Sequence, residues 1–137
     1  MKISLDPGAY APVRGHKEDA GIDIKSMYNH DVPPRGSVVC LTGTHVEIPE
    51  GYCGLLVSKS GLNVTEDLTT TGLIDSAYSG QILVKVYNHG TKTRHIAAGQ
   101  KITQLVVIPC LTDEIEIVDK IKGGERGESG FGSSGKF

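Results

Sequence analysis

Short runs of β-branched and other apolar residues, cut every few positions by glycine or proline, recur along most of this 137-residue chain, and no stretch keeps a helical period. That pattern predicts strands over residues 2–5, 22–25, 37–41, 43–48, 52–57, 81–88, 102–109 and 114–118. Branched side chains fit a pleated, half-buried surface, and the glycines and prolines supply the turns. Residues 81–87 alternate best: Ile82, Val84 and Val86 fall on one face, with Gln81, Leu83, Lys85 and Tyr87 on the other. Residues 61–67 can hold one short helical turn. Eight short strands in a chain of one-domain length predict an all-β body closed as a sandwich or jelly roll. Such a body is expected to offer no helix N-terminus to an anion, so an anion site would be built from loops, hydroxyls and glycine-rich turns.

Charge excludes two partner classes. Fourteen basic against sixteen acidic residues leave no long-range field that would draw in nucleic acid or a membrane surface. A polyanionic ligand would need local cations or a metal. The start, MKISLDPGAY, lacks the apolar centre of a signal peptide, and no apolar run reaches spanning length. Cys40, Cys53 and Cys110 are odd in number and widely spaced, as expected of reduced, buried thiols in a cytosolic protein. The five histidines show no metal-ligand spacing and read as surface or structural groups.

The composition shifts at Gly123-Gly124, predicting a body over residues 1–122 and an arm over 123–137. The arm ends RGESGFGSSGKF. Its backbone N–H groups, hydroxyls and guanidinium are donors suited to phosphate oxygens, and Phe131 offers a ring to a flat base. Gly130 to Lys136 also spells most of a P-loop, but Phe137 follows in place of Ser or Thr. The P-loop mechanism needs a hydroxyl there and a helix after it.

Four internal segments carry further chemistry. DAGIDI sets Asp23 in an apolar strand start, where a carboxylate is costly unless paired, hydrogen-bonded or near a metal. SKSGL places Lys59 between two hydroxyls at a strand end, a phosphate cradle or a polar turn. GLIDSAYSG reads as a hairpin tip. It exposes Asp75, offers the ring of Tyr78, and is bracketed by Gly72 and Gly80, where a planar ligand could approach the backbone. AGQKITQL places the amide of Gln104 within a strand.

Taken in order, DAGIDI, SKSGL, GLIDSAYSG, AGQKITQL and RGESGFGSSG resemble the five motifs of the trimeric dUTP diphosphatases (dUTPases). The resemblance implies a β jelly-roll homotrimer with active sites between subunits, hydrolysing dUTP to dUMP and pyrophosphate with Mg²⁺ in the cytoplasm of a bacterial cell or phage-infected host. It implies that Asp75 activates the attacking water and that Asp23 positions Mg²⁺ through a water. Lys59, Ser60, Gly61 and Gln104 would hold phosphates. Gly72, Ile74, Tyr78 and Gly80 would bound the deoxyuridine, excluding a ribose 2′-OH and a 5-methyl group. Arg126, Phe131, Gly132, Ser133 and Ser134 would close over the nucleotide. The chain departs from the usual pattern at Lys59, commonly arginine, at Ala77, commonly acidic, and at Ser129, commonly glycine. Its segment over residues 63–71 is also shorter than in many members. A dCTP deaminase would want a glutamate near the hairpin, and GLIDSAYSG has Asp75. A dUTPase-like regulatory protein of phage type, or a jelly-roll interaction module with a tail, are the other readings.

Overall fold

The computed structural model describes residues 1–124 and 127–128. Ten strands and one helix follow in the order β1 (Ile3–Leu5), β2 (Ile22–Lys25), β3 (His30–Val32), β4 (Ser37–Leu41), β5 (Thr44–Val46), β6 (Tyr52–Val57), α1 (Ser60–Glu66), β7 (Leu68–Ile74), β8 (Leu83–Asn88), β9 (Arg94–Ile96) and β10 (Lys101–Pro109). All strand pairs are antiparallel. One six-stranded sheet runs β2-β10-β6-β7-β8-β4, and two ribbons, β1–β5 and β3–β9, complete an all-β jelly roll. The predicted alternation of β8 holds. Ile82, Val84 and Val86 are buried in the core with Ile24, Leu56, Leu68, Ile102 and Leu105, while Leu83 is half exposed.

Four expectations need correction. Residues 114–118 form no strand. Ile115 and Ile117 lie 92 % and 95 % exposed, on an alternating segment that finds no sheet edge among the described residues. The strands β3, β7 and β9 were not expected, and β7 holds the centre of the sheet. It pairs with β8 through Leu68–Asn88 and Thr70–Val86, then with β6 through Thr71–Val57 and Ile74–Gly54. Residues 75–80 are therefore not the tip of a tight hairpin. The chain leaves β8 at Thr71, and the start of β8 turns toward β5 instead, where Ile82 N–H donates to the Thr44 carbonyl at 2.8 Å and the Thr42 hydroxyl to the Ile82 carbonyl at 2.7 Å. The result is a broad loop.

The short helical turn expected over residues 61–67 is present as α1, and the fourth correction is to what its N-terminus offers. The SKSGL segment opens α1, with Lys59 as an extended N-cap whose side chain makes no cap bond. Leu62 anchors the helix by burial, and Asp67, left-handed at φ 58°, ends it by donating its N–H to the Leu62 carbonyl. The first turn therefore directs backbone N–H groups outward beside Lys59, which the sequence reading had ruled out for an all-β body.

Candidate active site

The register of β10 builds one half of the site. Gln104 is the direct partner of Asp23 on β2 and of Val57 on β6, so its amide shares a face with the carboxylate. A Cβ at Gly21 would stand 3.0 Å from the Gln104 Cβ and 3.1 Å from its Oε1. The glycine of DAGIDI thus gives the amide its room. A register shift between Lys101 and Thr103 accompanies Lys101 reaching the same carboxylate. Its Nζ lies 2.8 Å from Asp23 Oδ2, and Lys59 Nζ bonds Oδ1.

Asp23 is 6 % exposed, so burial pushes its carboxyl up. Hydrogen bonds from Lys101 and Lys59, with the charges of both, outweigh that and hold it below the ordinary carboxylate value. One anion against two cations leaves this corner net positive, beside the uncapped first turn of α1 with its exposed Ser60 and Gly61. Such a corner has the charge and donors that suit an anion. Lys101, a cation three places before Gln104 and just ahead of the strand expected over residues 102–109, is not among the residues expected at the site. Ser58, by contrast, is not free for a ligand: its hydroxyl accepts from Thr70 N–H at 2.9 Å and donates to the Thr70 carbonyl at 3.1 Å.

No three acidic, histidine or cysteine side chains gather as a metal cage among the described residues. Asp23 has both oxygens engaged by ammonium groups, which does not suit direct ligation of a resident ion. Each oxygen keeps one lone pair, which suits holding a metal-bound water.

The other half lies at the far end of β6. Asp75 and Tyr78 are exposed on the loop that follows Ile74, itself paired with Gly54. From Gly54 to Val57, the partner of Gln104, is roughly 10 Å of strand. Lys59 and Ser60 lie further along one way, and Asp75 the other. Tyr78 folds back on its own loop, its hydroxyl donating to the Gln81 carbonyl at 3.0 Å. A Cβ on Gly80 would meet the Tyr78 hydroxyl oxygen at 2.4 Å and Cζ at 2.6 Å. Gly80 therefore makes room for the tyrosine ring, where sequence reading expected it to admit a ligand. Ile74 is buried beneath the loop, and a Cβ on Gly72 would touch Leu56 Cδ1 at 3.0 Å.

Cys53 is buried, and burial together with neighbouring Cys110 and Asp75 pushes its thiol up. It is a protonated wall beside the loop rather than a nucleophile. Arg126, Phe131, Gly132, Ser133 and Ser134 lie outside the described residues.

One chain thus brings together Asp23, Lys59, Ser60, Gly61, Lys101 and Gln104, and separately Gly72, Ile74, Asp75, Tyr78 and Gly80. Asp75 and Tyr78 lie apart from the corner along β6, although Gly72 sits one rung from the Val57–Gln104 pair.

A family model described as dUTPase matches residues 8–135. The deoxyuridine 5'-triphosphate nucleotidohydrolase of Tropheryma whipplei (strain Twist) is 39% identical, over 96% of this chain and 93% of its own. The Staphylococcus bacteriophage 80alpha dUTPase, solved with dUPNHPP, superposes with a TM-score of 0.91 at 34% identity, covering 98% of this chain and 97% of that one. A mutant dUTPase from phage phi11 of S. aureus, reported to reveal the coordination of a structural Mg(II) ion, gives a TM-score of 0.78 at 31% identity, covering 87% of this chain and 96% of that one.

Proposed function

The chain belongs to the dUTPase family, and from that premise we propose that it hydrolyses dUTP to dUMP and pyrophosphate by attack of water at the α-phosphorus. The observation that carries the mechanism is the division of the motifs between two ends of β6. A net-positive, hydroxyl-bearing corner suits a triphosphate. An exposed carboxylate on a loop with a tyrosine suits the attacking water and the nucleoside. In a single chain the two ends stand roughly 10 Å or more apart along β6, and on this reading each site is completed between subunits of a homotrimer. The exposed segment around Ile115 and Ile117 supports this, because it alternates like a strand yet pairs with no sheet edge among the described residues.

Within each composite site, Lys59 and Lys101 supply point charges to the phosphates. Lysine lacks the planar fork of arginine, so the contact is electrostatic rather than bidentate. Ser60, the N–H groups near Gly61 and the Gln104 amide donate to phosphate oxygens. Asp75 holds the water by a hydrogen bond and accepts its proton as the bond to phosphorus forms. Tyr78 and the backbone over residues 72–80 bound the nucleoside. Rejecting thymine means rejecting one methyl group, so that boundary has to be rigid. Mg²⁺ would be held by Asp23 through a water, and when bound it offsets triphosphate charge and steadies the leaving pyrophosphate. The arm, residues 123–137, closes over the nucleotide with Phe131 on the uracil and Arg126, Gly132, Ser133 and Ser134 at the phosphates, expelling other water. The reaction lowers dUTP, limits uracil in DNA and supplies dUMP for dTMP synthesis, which assigns the protein to the cytoplasm.

The test is pyrophosphate release with Mg²⁺ and each deoxynucleoside triphosphate. Release from dUTP alone is expected, with Asp75→Asn slower by at least about a hundredfold, as for loss of a general base. Ammonia from dCTP, or inertness toward every nucleotide, would overturn the reading.

A further inference from the structure

Residues 75–80 are tethered lightly. Within the loop, Tyr78 N–H donates to the Asp75 carbonyl and the Tyr78 hydroxyl to the Gln81 carbonyl. Across the gap to the ribbon, His45 bonds the Ser79 carbonyl at 2.8 Å from Nδ1, and the base of the loop is held separately, Gly43 N–H donating to Gln81 Oε1 at 3.2 Å. A cavity of about 450 Å³ separates the loop from the β1–β5 ribbon, with Ser76, Ala77 and Tyr78 on one wall and Ile3, Ser4 and Val46 on the other. His45, on β5, reaches across the gap.

Its second nitrogen decides the chemistry. Nε2 lies 3.1 Å from Asp6 Oδ1. A carbonyl oxygen only accepts, and a carboxylate only accepts. A neutral imidazole has one N–H and can satisfy one of the two. Both bonds form together only when both nitrogens carry protons.

We propose that His45 is a positioning residue: as an imidazolium it clamps the loop carrying Asp75 and Tyr78 to the body, donating from Nδ1 to the Ser79 carbonyl and from Nε2 to the Asp6 carboxylate. The clamp serves the dUTP-hydrolysing site and rests on that reading. The charged groups around it are few. Asp6 follows β1, Lys2 and Glu47 lie on either side of the ribbon and pair with each other at 3.0 Å, and Asp75 and Tyr78 belong to the loop. Lys2 and Glu47 cancel, leaving Asp6 as the charge that bonds the ring directly. The hydrogen bonds to Ser79 and Asp6 raise the His45 pKa above the ordinary histidine value. With a raised value, the clamp is complete below the ordinary histidine pKa and is released as pH climbs through the folded-state value.

Two measurements on the whole chain test this. The kcat/KM for dUTP is followed between about pH 6 and about pH 9 in the wild type and in His45→Leu, so that ionisation of the substrate cancels in the ratio. The ratio is expected to be roughly tenfold at the acid end and to fall below about twofold at the alkaline end. The His45 ring is titrated by NMR in the wild type and in Asp6→Asn, which should move its titration to lower pH. A ratio independent of pH, or a wild-type His45 titrating at or below the ordinary value, overturns the clamp. Should His45→Leu fail to fold, the Asp6→Asn titration decides alone. The NMR readout needs no turnover, so a protein inert toward dUTP would sink the enzyme reading while the clamp is still judged on its own.

Discussion

Replacing Asp23 with asparagine keeps the shape of the side chain and removes its charge, leaving two ammonium groups around a single neutral acceptor. At an effective dielectric near 20, unit charges about 4 Å apart interact by about 4 kcal/mol, and carboxylate desolvation offsets part of that. The Lys101 side chain is 42% exposed and can swing into water, so its share falls to the ~0.2–1 kcal/mol of exposed pairs. The Lys59 side chain, 21% exposed, is screened less. The expected net loss is about 2–3 kcal/mol. For a chain of this size that lowers Tm by roughly 8–12 °C. Urea unfolding at fixed protein concentration measures it, so that any contribution of the proposed subunit association is held constant. The discriminating step is Lys101→Met in both backgrounds. It should destabilise the wild type, which loses a pairing, and stabilise the Asp23→Asn protein, which loses a repulsion. An Lys101→Met effect of the same sign and size in both would refute the shared-carboxylate arrangement.

The same carboxylate predicts acid lability. Its pKa is held below the ordinary value, so it contributes stability above that value and loses it as pH falls through the folded-state pKa; Tm against pH should decline there in the wild type and stay flatter in Asp23→Asn. Gly80→Ala should drive the Tyr78 ring off its seat and break its bond to Gln81, raising KM for dUTP several-fold with little change in Tm, as steady-state kinetics and calorimetry would report. Ile117→Asp should shift the sedimentation profile from trimer toward monomer and abolish turnover in proportion, since a charge would then stand where an apolar strand face seeks a partner.

The strands legible from sequence were those with a simple signature. Residues 22–25, 37–41 and 52–57 matched β2, β4 and β6 to the residue, because apolar runs there meet glycine, proline or charge at both ends. The strand β7 reads LTTTGLI, with three threonines and a glycine, and only its two different neighbours explain why it is a strand at all. His30–Val32 and Arg94–Ile96 are three residues each and exist by pairing with one another. The segment at 114–118 carried a strand-like alternation with no edge among the described residues to satisfy it. Asp23, Lys59, Asp75 and Gln104 stood out in the sequence by residue type, as candidates for site chemistry. Their grouping was not, because it depends on which rung of β6 faces which rung of β7 and β10. Lys101 and His45 needed coordinates for the same reason: each acts through a partner distant in sequence, Asp23 for one, Ser79 and Asp6 for the other.

A strand with chemistry divided between its two ends changes what a damaging mutation means. If sites are shared between subunits as proposed, a chain spoiled only at its carboxylate loop would still lend an intact phosphate corner to its neighbour, and one spoiled only at the corner would still lend its loop. Two such defective alleles, co-expressed and shuffled at random into the same assemblies, would regenerate whole sites at roughly a quarter of positions. Heredity would thus act on pairings of surfaces rather than on the solitary polypeptide, and complementation between dead copies is the genetic trace that this geometry leaves.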